Sequence, residues 1–152
     1  MEEELEHIEA YIRIQKLRYG EEAFSFEATM DGDIGEWKVP SLLLQTLVEN
    51  SVVHGVSLDR KSEISLYLTN ETYEYGEYLY ICISDTGNGF RKEALDAIEH
   101  DTPIIYHGRH HVGISNIKRR LALMYGERAS ITCSNMDENY GAVVEVRLPK
   151  TE

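Results

Sequence analysis

The sequence predicts an α/β two-layer sandwich, a mixed and mostly antiparallel sheet covered on one face by helices. Two observations carry this expectation. Residues 63–84 and 129–148 each hold two strand-like runs separated by short polar, glycine-containing segments, the pattern of hairpins. Before and between them lie stretches with apolar residues three and four apart, the pattern of helices that bury one face. Helices and antiparallel hairpins in this order pack as two layers around one core.

The chain has 152 residues, enough for one domain with a proper core and too few for two comfortable ones. Its 27 acidic residues against 15 basic ones give a formal charge of -12, which disfavours phosphate-backbone binding and makes nucleic acid a poor partner. No apolar run approaches the roughly 20 residues needed to cross a bilayer, and the N-terminus is acidic, unlike a signal peptide. The reading is of a soluble, intracellular chain. Cys82 and Cys133 fall in apolar strand-like runs and read as small buried thiols.

In chain order, residues 2–18 form an amphipathic helix with Leu5, Ile8 and Ile12 at helical spacing, ended by Gly20. It starts at the first residue without a cap, and so reads as the end of a longer upstream helix (residues 1–19). Residues 23–28 alternate as a strand, broken by Asp31-Gly32-Asp33. From Val39 to Gly55 a helix of about four turns is expected, with Pro40 in its first turn and Gly55 as its stop signal. Leu44, Leu47, Val48, Ser51 and Val52 share one side of it, while Asn50 and His54 share another. Glu49-Asn50 in so apolar a helix demands a polar partner, because burying such groups unpaired costs a few kcal/mol.

Strands over 63–68 and 78–84 follow, joined through a Tyr-rich turn at 70–76, and Asp85-Thr86-Gly87-Asn88-Gly89 ends the second abruptly. The Tyr-rich segment is read as half-buried strand aromatics. Residues 91–111 show only a short helix near 92–98 and form a long excursion of the kind that serves as a lid. Ile114, Ile117, Leu121 and Met124 then mark a helix face ended by Gly126. A last hairpin, 129–133 with 142–148, closes the chain. Four histidines, His100, His107, His110 and His111, lie in or beside the excursion; with no cysteine nearby they read as residues of a solvated loop rather than as a zinc site.

Three segments remain that packing alone does not explain: Glu49-Asn50 on its helix, the Asp85-x-Gly-x-Gly turn, and Val112-Gly113-Ile114-Ser115-Asn116 opening a helix. In this order they resemble the nucleotide-binding boxes of the GHKL ATPase superfamily. Residues 5–19, Leu-Glu-His-Ile-Glu-Ala-Tyr-Ile-Arg-Ile-Gln-Lys-Leu-Arg-Tyr, and Val39–Gly55 are similar to the catalytic domain of LytS/YesM-type sensor histidine kinases. The resemblance covers nearly the whole chain and implies the Bergerat-type ATP-binding fold with a lid over 88–112. By the same resemblance, Asn50 would hold the magnesium that bridges the phosphates of ATP, and Glu49 would act beside it. His54 would line the pocket, and Asp85 would accept a hydrogen bond from the adenine amino group. Gly87 and Gly89 would let the backbone approach the nucleotide. Gly113, Ile114 and Asn116, at a helix start, would take the phosphates on free N–H groups.

Two residues depart from the family pattern. Val53 stands where many histidine kinases have a lysine, and His111 stands where the second glycine box has its first glycine. Arg109, His110 or Lys118 are the cations expected to compensate. The implied function is the ATP-binding catalytic domain of a two-component sensor histidine kinase. It would deliver the γ-phosphate to a histidine on a separate dimerisation segment, and from there to a response regulator. The full-length protein is expected to be a membrane-anchored homodimer with this domain in the cytoplasm. The alternatives are a serine kinase and anti-sigma factor of the same superfamily, or a non-catalytic nucleotide-binding sensor module.

Overall fold

The computed structural model describes residues 1–102, 112–138 and 140–151. In chain order it contains α1 (Glu2–Tyr19), β1 (Phe24–Asp31), α2 (Leu43–Gly55), β2 (Ser62–Tyr73), β3 (Gly76–Asp85), α3 (Lys92–Glu99), α4 (Val112–Tyr125), a single 3-10 turn (Gly126–Arg128), β4 (Ser130–Asp137) and β5 (Tyr140–Pro149). The strands form one sheet in the order β1-β2-β3-β5-β4. Among the described residues only the β1–β2 pair is parallel, with α2 as its crossover; the other pairs are antiparallel.

Alternation sorts the strands into two faces. Ile64, Leu66 and Leu68 of β2, Leu79, Ile81 and Ile83 of β3, and Val144, Val146 and Leu148 of β5 point to one side and are buried. The helices cover them with Ile8 and Ile12 from α1, Leu44, Leu47, Val48 and Val52 from α2, and Ile114, Ile117 and Leu121 from α4. The opposite side carries Tyr67, Tyr80, Cys82, Glu145 and Arg147, all half-buried. There Tyr80 donates to Glu145 at 2.6 Å, Arg147 donates to Glu71 at 3.0 Å, and the Arg147 guanidinium lies 4.6 Å from the Tyr80 ring centre. The Tyr-rich segment is largely strand, closed by a two-residue turn at Glu74-Tyr75 with Tyr73 facing Gly76 across the ladder; Tyr78 and Tyr80 are half-buried as expected, whereas Tyr73 and Tyr75 are exposed.

Three expectations need correction. The central helix starts at Leu43, not at Pro40: residues 41–42 turn, Leu43 N–H donates to the Pro40 carbonyl at 3.1 Å, and Leu42 adopts a left-handed φ of 62°. Its first amides are met instead by Glu4 of α1, which accepts from Leu42 N at 2.6 Å and Leu44 N at 3.2 Å. Met124 is 55% exposed, and Tyr125, the next residue, is the one buried beneath α4. Neither thiol is fully buried: Cys82 and Cys133 are both half-buried and unpaired. Desolvation still pushes the Cys133 thiol up to about 12.

Candidate functional site

The floor of the site is the end of β3. Asp85 terminates the strand, is buried, and its Oδ1 accepts from Gly87 N at 2.9 Å and from Ala142 N of β5 at 3.4 Å. Burial raises the Asp85 pKa, while those two amides and Ser51 of α2 pull it back down. The short side chain reaches its own backbone two residues on, the turn geometry that aspartate favours. Gly87 N–H faces inward for this reason, and Gly87 O accepts from Gly141 N at 2.8 Å, tying the turn to β5.

Close approach to α2 explains the glycines. A Cβ on Gly55 would lie 2.6 Å from Asp85 Cγ, and one on Gly87 would lie 2.5 Å from Gly55 Cα. Gly55 is the last residue of α2, and Val56 forms its C-cap. The helix ends at this glycine, as the sequence predicts, and the contact with Asp85 also requires a residue without a side chain there. Gly89 turns with φ +72°, and a Cβ there would lie 2.7 Å from Asn135 Oδ1. Asn135 of β4 pins the exit of this turn by accepting from Phe90 N at 2.7 Å and donating to Phe90 O at 2.8 Å.

The other end of the site lies along α2. Asn50 is half-buried, and a Cβ on Gly113 would lie 3.9 Å from its Oδ1, so the Asn50 amide faces the first turn of α4. Five residues of helix separate Asn50 from Gly55, a rise of about 7.5 Å. Glu49 points elsewhere around the same helix: Gln45 Nε2 donates to its Oε1 at 2.8 Å. Its charge adds to the burial that raises Tyr11 of α1 to about 12. The structure therefore brings Asn50, Asp85, Gly87 and Gly113 around one region, and turns Glu49 toward α1.

The remaining expected residues divide. His54 is exposed in the last turn of α2, and Val53 is 60% exposed beside it. The Ile114 side chain is 1% exposed within the core, so its backbone alone is offered to a ligand. Asn116 is exposed and lines a cavity of about 440 Å³ between α3 and α4, with Asp101, Thr102, Ser115, Lys118 and Arg119. Lys118 is engaged there, bonded to Ile98 O at 2.6 Å and paired with Asp101 at 3.0 Å. Arg109, His110 and His111 lie outside the described residues, as does the 103–111 part of the expected lid, whose earlier part contains α3.

Sequence reasoning missed Ser51, Gly55 in its packing role, Asn135 and Glu4. Ser51 was visible only as a small polar residue on the apolar side of α2. Asn135 and Glu4 gave no signal, since each works through a partner more than 30 residues away.

A sequence profile of histidine kinase-, DNA gyrase B- and HSP90-like ATPases matches residues 39–152. The chain belongs to this ATPase family. Among curated relatives, the sensor histidine kinase YpdA of Escherichia coli is 31% identical over 131 residues, covering 84% of this chain and 21% of its own length. The sensor protein LytS of Oceanobacillus iheyensis is 30% identical over 151 residues, covering 98% of this chain and 25% of its own length. The ATPase domain thus spans about a quarter of the length of these relatives. In fold it is similar to the catalytic domain of histidine kinase ThkA, with a TM-score of 0.75 at 15% identity over 99% of this chain and 95% of that one. A structure of ThkA with the response regulator TrrA superposes with a TM-score of 0.65 at 16% identity, over 99% of this chain and 40% of that one.

The donors of this ATPase domain fit a phosphate-bridged cation. Among the described residues no three His, Cys, Asp or Glu side chains converge to hold a metal. Magnesium bound through phosphates needs only one or two protein oxygens, with water supplying the rest, and an amide oxygen such as that of Asn50 is a hard donor of the right type.

Proposed function

We propose that the chain is the ATP-binding catalytic domain of a two-component sensor histidine kinase. The observation that carries this reading is the double engagement of α2. At its end Gly55 packs against the Asp85 carboxyl, and in its middle Asn50 Oδ1 faces Gly113. One rigid helix thereby sets the spacing between a carboxylate suited to the adenine amino group and a helix start suited to phosphates. The backbone N–H groups opening α4 have no partners within their own helix, and the helix dipole favours negative charge beside them. A domain of net charge -12 can hold a polyanion in this way, because local dipoles and a divalent cation outweigh the distant field.

Asp85 would accept from the exocyclic amine of adenine, selecting it over guanine, whose carbonyl would meet the carboxylate as a second acceptor. Asn50 would hold the magnesium ion, which neutralises charge on the transferring phosphoryl group. Glu49, facing α1 and held by Gln45, would orient groups on the α1 side of the helix. The chain's own contribution is position and exclusion: Gly55 and Gly87 hold Asp85 in a fixed, water-poor setting. The γ-phosphoryl group would pass to a histidine on a dimerisation segment of the same full-length protein, leaving ADP, and then to an aspartate of a response regulator. The full-length protein would be a membrane-anchored homodimer. No described helix is long and apolar enough to cross a membrane, so an anchor would lie elsewhere in it.

His7 is exposed on α1 and is not the acceptor in this reading. The purified chain therefore binds Mg-ATP without phosphorylating itself, which incubation with γ-labelled ATP followed by acid treatment checks. Acid-labile phosphate on the chain alone would contradict the assignment.

A further inference from the structure

α2 starts without a cap of its own. Leu42, at its N-cap position, has no side-chain oxygen, and the first turn contains no acidic residue. Two of the amides at this end are met from another element. Glu4 of α1, 38 residues upstream, places Oε1 2.6 Å from Leu42 N and Oε2 3.2 Å from Leu44 N. Glu4 is 7% exposed, an unusual setting for an acid unless it is paired. Both of its oxygens serve one helix end, where the helix dipole favours a carboxylate.

The same point is tied from the other side. Arg120 of α4 donates to Ser41 O at 2.9 Å, one residue before Leu42. α1, α2 and α4 therefore meet at the start of α2 through directional bonds, in addition to the apolar contacts of Ile8 and Ile12. Apolar packing holds the helix without a directional preference; a two-oxygen clamp on two specific amides adds a directional restraint. α1 also lies outside the residues 39–152 that match the family, so a segment beyond the matched region holds the helix that bears Asn50.

We propose that Glu4 is a positioning residue for the nucleotide site. By clamping the Leu42 and Leu44 amides it sets the rotation of α2, keeps Asn50 Oδ1 aimed at Gly113, and passes any displacement of α1 to the cation-holding end of the site. The inference rests on the reading of that site as one for Mg-ATP.

The test uses the whole 152-residue chain as wild type, Glu4→Gln and Glu4→Ala. Gln keeps one acceptor oxygen at the same reach, and Ala removes both. Without ligand, the Asn50 side-chain amide resonances move in Glu4→Ala and return most of the way in Glu4→Gln. With ligand, the Kd for Mg-ATP rises about tenfold in Glu4→Ala and less than about threefold in Glu4→Gln. Binding of ATP in EDTA, which depends on the Asp85 end, changes by less than about twofold. Asn50 resonances that stay in place while those of Leu42 and Leu44 move would overturn the proposal. Equal losses of affinity with and without magnesium would overturn it too, by marking a general loosening of the fold. A wild-type chain that bound no Mg-ATP would overturn the site reading itself, and the resonance measurement would still judge the mechanical link.

Discussion

Asp85 occupies a place that is unfavourable for its charge. Burial raises its pKa, and the amides of Gly87 and Ala142 offset only part of that. A carboxyl whose folded-state pKa lies above its unfolded value stabilises the fold fully below the unfolded value, and that contribution is lost as pH rises through the folded one. At pH 7 the residue is therefore a stability cost, one that the proposed contact with adenine would account for. Asp85→Asn is accordingly expected to melt at the same temperature as wild type or higher at pH 7. The difference should shrink as pH falls toward 4, measured by thermal denaturation across pH. An Asp85→Asn variant that melted well below wild type at pH 7 would show that the ionised form is worth more to the fold than its burial costs. Asp85 was legible as a candidate because its glycine turn stands in order between the Glu49-Asn50 helix and the Val112–Asn116 helix start. Glu4 and Asn135 were not, since a glutamate on a charged helix and an asparagine on an edge strand look like solvated residues until the chain folds.

α2 is the element on which the site depends, and its glycine is the sharpest test of its packing. In Gly55→Ala the new Cβ would fall 2.6 Å from Asp85 Cγ, within a contact that also involves the Gly87 backbone. Overpacking of this kind costs about 1 to 3 kcal/mol, and the better helix propensity of alanine returns at most about 1 kcal/mol. The clash wins, so Gly55→Ala should lose about 1 to 2 kcal/mol of stability in chemical denaturation, and nucleotide affinity with it. Equal stability would mean that Asp85 can move aside freely. The buried side of α2 was readable from apolar spacing, and Leu44, Leu47, Val48, Ser51 and Val52 are all buried. Its start was not readable. Pro40 carries an intrinsic start signal, but the turn at residues 41–42 and the clamp from Glu4 place the first helical residue at Leu43. A local rule yields there to a contact from a distant element.

For the molecule as a whole, alternation along the strands was enough to place five strands and the sheet's buried face, because a one-residue slip would expose every core side chain. Strand order was beyond that information. β5 lies between β3 and β4, a choice set by which hairpin edges meet in space. The assembled sheet and helices bring together three sequence segments that are individually unremarkable, and the region between Asp85 and Asn50 is the proposed Mg-ATP site. Isothermal titration of Mg-ATP into wild type and Asp85→Asn tests it most directly. The expected result is one-site binding to the wild-type chain, weakened at least about 100-fold by the substitution, a loss of about 2.7 kcal/mol. No binding to wild type, or equal binding to both chains, would contradict it.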